Sequence, residues 1–178
     1  MTELIEHWQR PVLAFICRSL GCDDDEARDL AQEVFLRVWR QRRRWKPTAA
    51  FSTWLFTIVT NLCRNRRRDL GRRPDLVPLD FDDRGDPALD LQCSVADDPH
   101  ARAEASALAG RLQRALEKLP ENQRSALLLK RFQDMSYRQI AEILDVTTSA
   151  VDSLLVRARR NMLANLAQDQ QLNGVESK

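Results

Sequence analysis

Apolar residues recur along most of this chain at the three-and-four spacing of amphipathic helices. The first run extends from about Glu3 to Leu20 and turns Leu4, Ile5, Trp8, Val12, Phe15 and Ile16 inward, with Gly21-Cys22 ending it. A second starts behind Asp23-Asp24-Asp25-Glu26, acidic residues that suit the positive end of a helix dipole. It carries Ala27, Leu30, Ala31, Val34, Phe35, Val38 and Trp39 on one face and closes in the basic run 40–44. After Pro47 the spacing repeats through Phe51, Trp54, Leu55, Ile58, Val59, Leu62 and Cys63, ending in Arg64-Asn65-Arg66-Arg67-Arg68. Between Gly71 and about Pro99 the pattern fails: Pro74, Pro78, Pro87, Pro99 and Gly85 stand among aspartates, as in an extended linker. Periodicity returns with Leu108, Leu112, Ala115, Leu116 and Leu119. Pro120 then opens a helix to about Phe132, and a polar tail is expected from about Ala167.

Residues 136–163 have the layout of a helix-turn-helix. Ser136 and Gln139 have the spacing of a capping box. Ile140, Ala141, Ile143 and Leu144 form an apolar face, and Asp145-Val146-Thr147 supplies the turn with Thr147 as N-cap. Val151, Leu154, Leu155, Ala158 and Met162 then line one side of the second helix, leaving Ser149, Asp152, Ser153, Val156, Arg157 and Arg160 on the others. DNA is the first partner this suggests; an ordinary antiparallel helix pair is the plainer reading.

Composition supports an all-α fold: five glycines, few β-branched runs, and abundant Ala, Leu, Arg, Glu and Gln in 178 residues. The net charge of +2 is unremarkable, but its distribution is not. Residues 1–73 carry 15 basic against 9 acidic side chains, 74–99 carry 1 against 8, and 100–178 carry 12 against 9. Two basic segments flanking an acidic one suit a molecule that grips nucleic acid at two places; solvated charge runs would give the same numbers. No segment approaches the roughly 20 apolar residues of a membrane span, and no signal peptide is read at the start, so a cytoplasmic location is expected. Cys17, Cys22, Cys63 and Cys93 form no CxxC pair and are expected as free thiols, with a redox-sensing role left open. Cys93 and His100 are the only hint of a metal site, and neither metal nor cofactor is expected. No phosphate-cradling glycine loop or HExxH is present to suggest a nucleic-acid enzyme.

Opposite the apolar stripe of the third helix stand Thr53, Thr57, Thr60, Asn61, Arg64 and Asn65, next to the loop WKPTAAF. A polar row beside an aromatic loop is a surface on which unstacked bases and phosphates can be held. The order of four blocks is more specific. DLAQEVFLRVW (29–39), FSTWLFTIVTNLCRNRRRD (51–69), LEKLPENQRSALLLKRF (116–132) and the helix-turn-helix together resemble the extracytoplasmic-function group of sigma factors, over roughly residues 4–166.

The resemblance implies two small helical domains joined by a flexible acidic linker: a region 2 domain at 1–71, the linker at 72–105, a region 4 domain at 106–168, and a polar tail at 169–178. It implies a non-catalytic transcription-initiation subunit, associated with the nucleoid within holoenzyme. Its partners would be the β′ and β subunits of core RNA polymerase, promoter DNA and an anti-sigma factor, in a stress or envelope-response setting. Asp29, Gln32, Glu33 and Arg37 would meet the polymerase. Trp45, Lys46, Phe51, Asn61, Arg64, Asn65, Arg67 and Arg68 would hold the minus-10 element, with Arg66 on phosphate. Thr147, Thr148, Ser149, Asp152, Ser153, Arg157, Arg159 and Arg160 would meet the minus-35 element. Asp145, where the family often has Gly, and Asp152 and Leu154, where it often has basic residues, depart from the pattern. Asp152 has three readings: acceptance from a cytosine amine, capping with Ser149, or neutral exposure. The competing function is a dimeric operator-binding regulator, which would have no use for the 29–69 blocks.

Overall fold

The computed structural model describes residues 2–43, 45, 50–71 and 99–175. The linker expectation for 72–98, with Cys93, and the Lys46 assignment lie outside them. The described residues form seven helices and no strand: α1 (Thr2–Leu20), α2 (Asp24–Gln41), α3 (Phe51–Gly71), α4 (Pro99–Glu117), α5 (Glu121–Phe132), α6 (Tyr137–Leu144) and α7 (Thr148–Val175).

The helix boundaries follow from local chemistry. Helix α1 ends at Gly21, whose φ of +67° is readily adopted only without a Cβ, and whose N–H returns to Cys17 O at 2.8 Å. Asp23 then caps α2 by accepting from the Glu26 N–H at 2.8 Å. Pro120 stands immediately before α5, where its missing N–H costs no helical hydrogen bond. The Ser136–Gln139 capping box forms in full.

Helices α1, α2 and α3 bury Val12, Phe15, Ile16, Val34, Leu55, Phe56 and Val59 against one another. Helix α7 packs on α4, α5 and α6 around Leu128, Leu129, Ile140, Val151 and Leu155. The two cores then merge, because α3 packs on α6 and α1 packs on α4 and α5.

Three sequence expectations fail. Residues 99–105, expected as the end of the linker, are instead the first turns of α4, which Pro99 and the alanines after it favour. Trp39, expected inward, is 47% exposed with the Arg42 guanidinium over its ring at 3.8 Å. Nor does the polar segment after Ala167 leave the fold as a tail: α7 continues to Val175. Asp169 anchors it, buried against Lys118 Nζ at 2.7 Å and Arg114 Nε at 3.1 Å.

Candidate nucleic-acid and polymerase interfaces

The helix-turn-helix is built as its sequence reads. Asp145 occupies the left-handed region (φ 55°, ψ 52°) that the turn requires, and its N–H meets Ala141 O. The Thr147 hydroxyl accepts from the Ala150 N–H at 3.1 Å and so caps α7. Because Thr147 is the cap, the Ser149–Asp152 capping alternative falls away. Val151, Leu155 and Ala158 face inward, which turns Thr148, Ser149, Asp152, Ser153, Arg157, Arg159 and Arg160 to solvent together, with Thr147 at their head. Hydroxyls, a carboxylate and three guanidinium groups on one exposed helix make a surface that can enter a DNA groove.

On α2, Asp29 and Gln32 are exposed, while Glu33 and Arg37 pair with each other at 2.7 Å. The sequence reading missed the apolar part of this surface. Leu36 (48% exposed) and Trp39 join Ile5, Gln9, Leu13, Gln32 and Phe35 around a groove of about 650 Å³ between α1 and α2. The signal was present in the stripe itself, which is too wide for all of it to be buried.

The expected minus-10 set is only partly free. Asn61 and Asn65 are exposed on α3, and Asn65 accepts from Arg68. Phe51 is half-buried in an aromatic cluster with Trp8, Trp45 and Trp54, at ring separations of 5.9, 6.1 and 5.7 Å. The indole N–H of Trp45 is buried there without a partner. Thr53 and Thr60, expected to face a ligand, are buried at 2% exposure, and neither hydroxyl has a hydrogen-bond partner. The guanidinium groups expected on phosphates are bound within the protein. Arg64 donates to Glu121 at 2.5 Å and Asn122 at 3.1 Å; Arg66 donates to Glu26 at 2.7 Å; Arg67 donates to the carbonyls of Ser19 and Glu117 at 3.0 and 3.2 Å. Burial holds the Arg67 pKa below the usual arginine value.

Among the described residues no cluster of His, Cys, Asp and Glu has the makings of a metal site, and no helix is long and apolar enough to cross a membrane.

Comparison with known proteins agrees with this geometry. The family "Sigma-70 region 2" matches residues 4–73, and "Sigma-70, region 4" matches residues 109–162. The RNA polymerase sigma-H factor of Pseudomonas aeruginosa is 31% identical over 160 residues, covering 88% of this chain and 80% of its own. The ECF RNA polymerase sigma factor SigW of Bacillus subtilis is 28% identical over 167 residues, covering 92% and 87%. The fold is shared with the sigma factor RpoE of Bartonella quintana, solved with the anti-sigma factor NepR (TM-score 0.64, 23% identity, 94% and 98% covered). It is shared too with CnrH, solved with the cytosolic domain of CnrY (TM-score 0.65, 24% identity, 94% and 88% covered). The chain therefore belongs to the extracytoplasmic-function group of the sigma-70 family, the subunits that bind core RNA polymerase and direct it to promoters to initiate transcription.

Proposed function

We propose that this sigma factor divides its work between a polymerase-docking, promoter-opening unit at 1–71 and an upstream anchor at 106–168. The observation that carries this reading is the pairing, in one chain, of the exposed α7 face with the exposed amides of Asn61 and Asn65 on α3. Asp29, Gln32, Glu33 and Arg37 dock on polymerase, and the Leu36–Trp39 groove adds apolar area that the polar quartet lacks. Asn61, with the aromatic cluster of Trp45 and Phe51, receives an unstacked base of the minus-10 element. Flipping a base costs a few kcal/mol, and a formed pocket offsets it. Arg64, Asn65, Arg67 and Arg68, together with Lys46, meet the surrounding backbone, the arginines once released from their present partners. Thr147, Thr148, Ser149, Asp152, Ser153 and Arg157 lie along the minus-35 groove, with Arg159 and Arg160 on phosphate.

The subunit is non-catalytic, works in the cytoplasm on the nucleoid, and is held by an anti-sigma partner until a stress signal releases it. The shared fold with RpoE of Bartonella quintana, solved in complex with the anti-sigma factor NepR, supports that last element. The deciding experiment is reconstitution with core polymerase on a promoter library, with and without Asn61→Ala. The wild type is expected to give promoter-selective initiation, and the variant to lose open complexes while keeping its hold on core enzyme. Equal loss of both would remove Asn61 from base recognition, and no selective initiation by the wild type would remove the reading as a whole.

A further inference from the structure

We propose that Cys17 and Cys22 form a dithiol that a hydroperoxide converts to a disulfide, tying the last turn of α1 to the start of α2. The end of α1 supplies the geometry. Gly21 follows the helix in the left-handed region, and its N–H returns to Cys17 O at 2.8 Å. A left-handed residue at this place turns the next residue back over the final turn of the helix. Cys22 is that next residue, and Cys17 is the one it meets: the Cys22 thiol donates to the Cys17 sulfur. A disulfide needs Cβ atoms about 3.5–4.5 Å apart, and a hydrogen-bonded thiol pair lies a short approach from that arrangement.

The backbone between the two cysteines is held in place. Arg18 O accepts from Gln113 Nε2 at 3.4 Å, and Ser19 O accepts from Arg67 and Arg124 at 3.0 and 2.9 Å. The Glu117 side chain fills the space beside Gly21 where a Cβ would lie. A turn fixed on both sides keeps the sulfurs in reach of each other, so their reaction is effectively unimolecular.

The surroundings divide the roles. Cys17 and Cys22 are half-buried and open to a small peroxide, whereas Cys63 is buried, which pushes its thiol up to about 12 and keeps it protonated. The hydrogen bond from Cys22 favours the Cys17 thiolate, and Arg18 adds to it; burial and Asp24 oppose them without cancelling them. The Cys17 thiolate attacks one peroxide oxygen, the O–O bond breaks, and the departing oxygen takes a proton to leave as an alcohol or water. Cys17 is then a sulfenic acid. Its charge is gone, and with it the hydrogen bond that chiefly holds the proton on Cys22. The Cys22 sulfur attacks the Cys17 sulfur, the S–O bond breaks, and water leaves with the Cys22 proton. Two thiols lose two electrons, and one peroxide gains them.

Trypsin cuts after Arg18 and Arg28, so the bridge would join two peptides that are otherwise separate. Hydrogen peroxide at one equivalent should give that joined pair from the full chain, two hydrogens lighter than its parts and separated by dithiothreitol. Cys22→Ser should instead carry a sulfenic acid on Cys17 that dimedone traps. Cys17→Ser should consume peroxide about tenfold more slowly than the wild type. Oxidised wild type should unfold at higher urea than the reduced chain, with Cys22→Ser unmoved, because a cross-link removes freedom from the unfolded state. Helical circular dichroism reports whether each variant is folded, and the wild-type peptide map decides the pairing without them. No joined pair, a bridge to Cys63 or Cys93, or a dimedone adduct persisting on wild-type Cys17 would overturn the dithiol. Undiminished peroxide consumption by Cys17→Ser would overturn the order of attack, and equal urea midpoints would overturn the tie between α1 and α2.

Discussion

Arg124, only 2% exposed in α5, donates from Nη1 to the carbonyl oxygen of Ser19 at 2.9 Å, across the boundary between the two helical units. The rest of its fork serves Leu116 O at 2.8 Å, Glu117 O at 2.8 Å and Leu119 O at 2.6 Å. These are backbone carbonyls around the end of α4, so one buried side chain both terminates that helix and ties it to α1. Arg124→Ala removes all four of these bonds, takes from Leu119 O its guanidinium donor and leaves a cavity in a buried site, and should destabilise the chain by about 3 kcal/mol. Arg124→Lys keeps the charge but cannot span the acceptors, and should recover less than half of the loss. Urea denaturation of the three proteins checks both.

Asp145 is held at φ 55°, a conformation that costs a side-chain-bearing residue energy and glycine almost none. It is exposed and its side chain makes no contact the turn depends on. Asp145→Gly should therefore stabilise by about 0.5–1 kcal/mol and Asp145→Ala should destabilise, as read from thermal midpoints.

Local chemistry made most of the fold legible. The Ser136–Gln139 box, the Thr147 cap, the Asp145 turn and the acidic start of α2 are each decided by residues within one turn of each other, which a sequence displays. The misses share another cause. Thr53 and Thr60 are buried in a fold where α3 packs on α1, α2 and α6, and no period within α3 reveals how many helices will surround it. Asp169 reads as part of a polar tail until Lys118 and Arg114 of α4 lie beside it. Of the candidate site, the α7 face was legible because it is one helix with one buried side; the fate of Arg64 and Arg67 was not, because their partners come from α1, α4 and α5.

The carboxyl of Asp169 is held below the ordinary aspartate range by hydrogen bonds from Lys118 and Arg114, acting against burial. A depressed folded-state pKa stabilises above the unfolded value and ceases to do so as pH falls through the folded one. Acidification from about pH 5 to about pH 2 should therefore loosen the end of α7 in the wild type. Asp169→Asn should show that loosening already at neutral pH, with a flatter acid profile. Helical circular dichroism followed across the titration distinguishes the two curves.

Three described cysteines occupy one region but differ in chemistry. Cys17, at the end of α1, is held below the usual thiol pKa chiefly because the Cys22 thiol donates to its thiolate, and the same hydrogen bond raises Cys22. Burial pushes Cys63 up to about 12. At about pH 8 iodoacetamide should modify Cys17 first, while Cys63 reacts only on unfolding, because the thiolate is the nucleophile. Peptide mass spectrometry over a time course gives the order. Faster labelling of Cys63 than of Cys17 would contradict the packing of α1 on α3.

Asp152 stands exposed on α7, one turn beyond the Thr147 cap. Thr147 caps α7, so the Asp152 carboxylate is exposed and carries no helix-start duty. Removal should leave stability within about 0.5 kcal/mol of wild type, whereas loss of a working cap costs about 1 kcal/mol. Thr147→Ala provides that comparison in the same helix. On the proposed reading, Asp152 accepts from a cytosine amine, and Asp152→Ala should relax preference at one base pair of the upstream element by about 1–3 kcal/mol. Arg157→Ala should reduce upstream-element recognition while sparing initiation from a premelted template, which does not require the anchor. Selection of bound sequences by the three holoenzymes, beside thermal denaturation of the free factors, separates these effects. A drop in stability for Asp152→Ala equal to that of Thr147→Ala, with an unchanged sequence preference, would return Asp152 to a purely structural role.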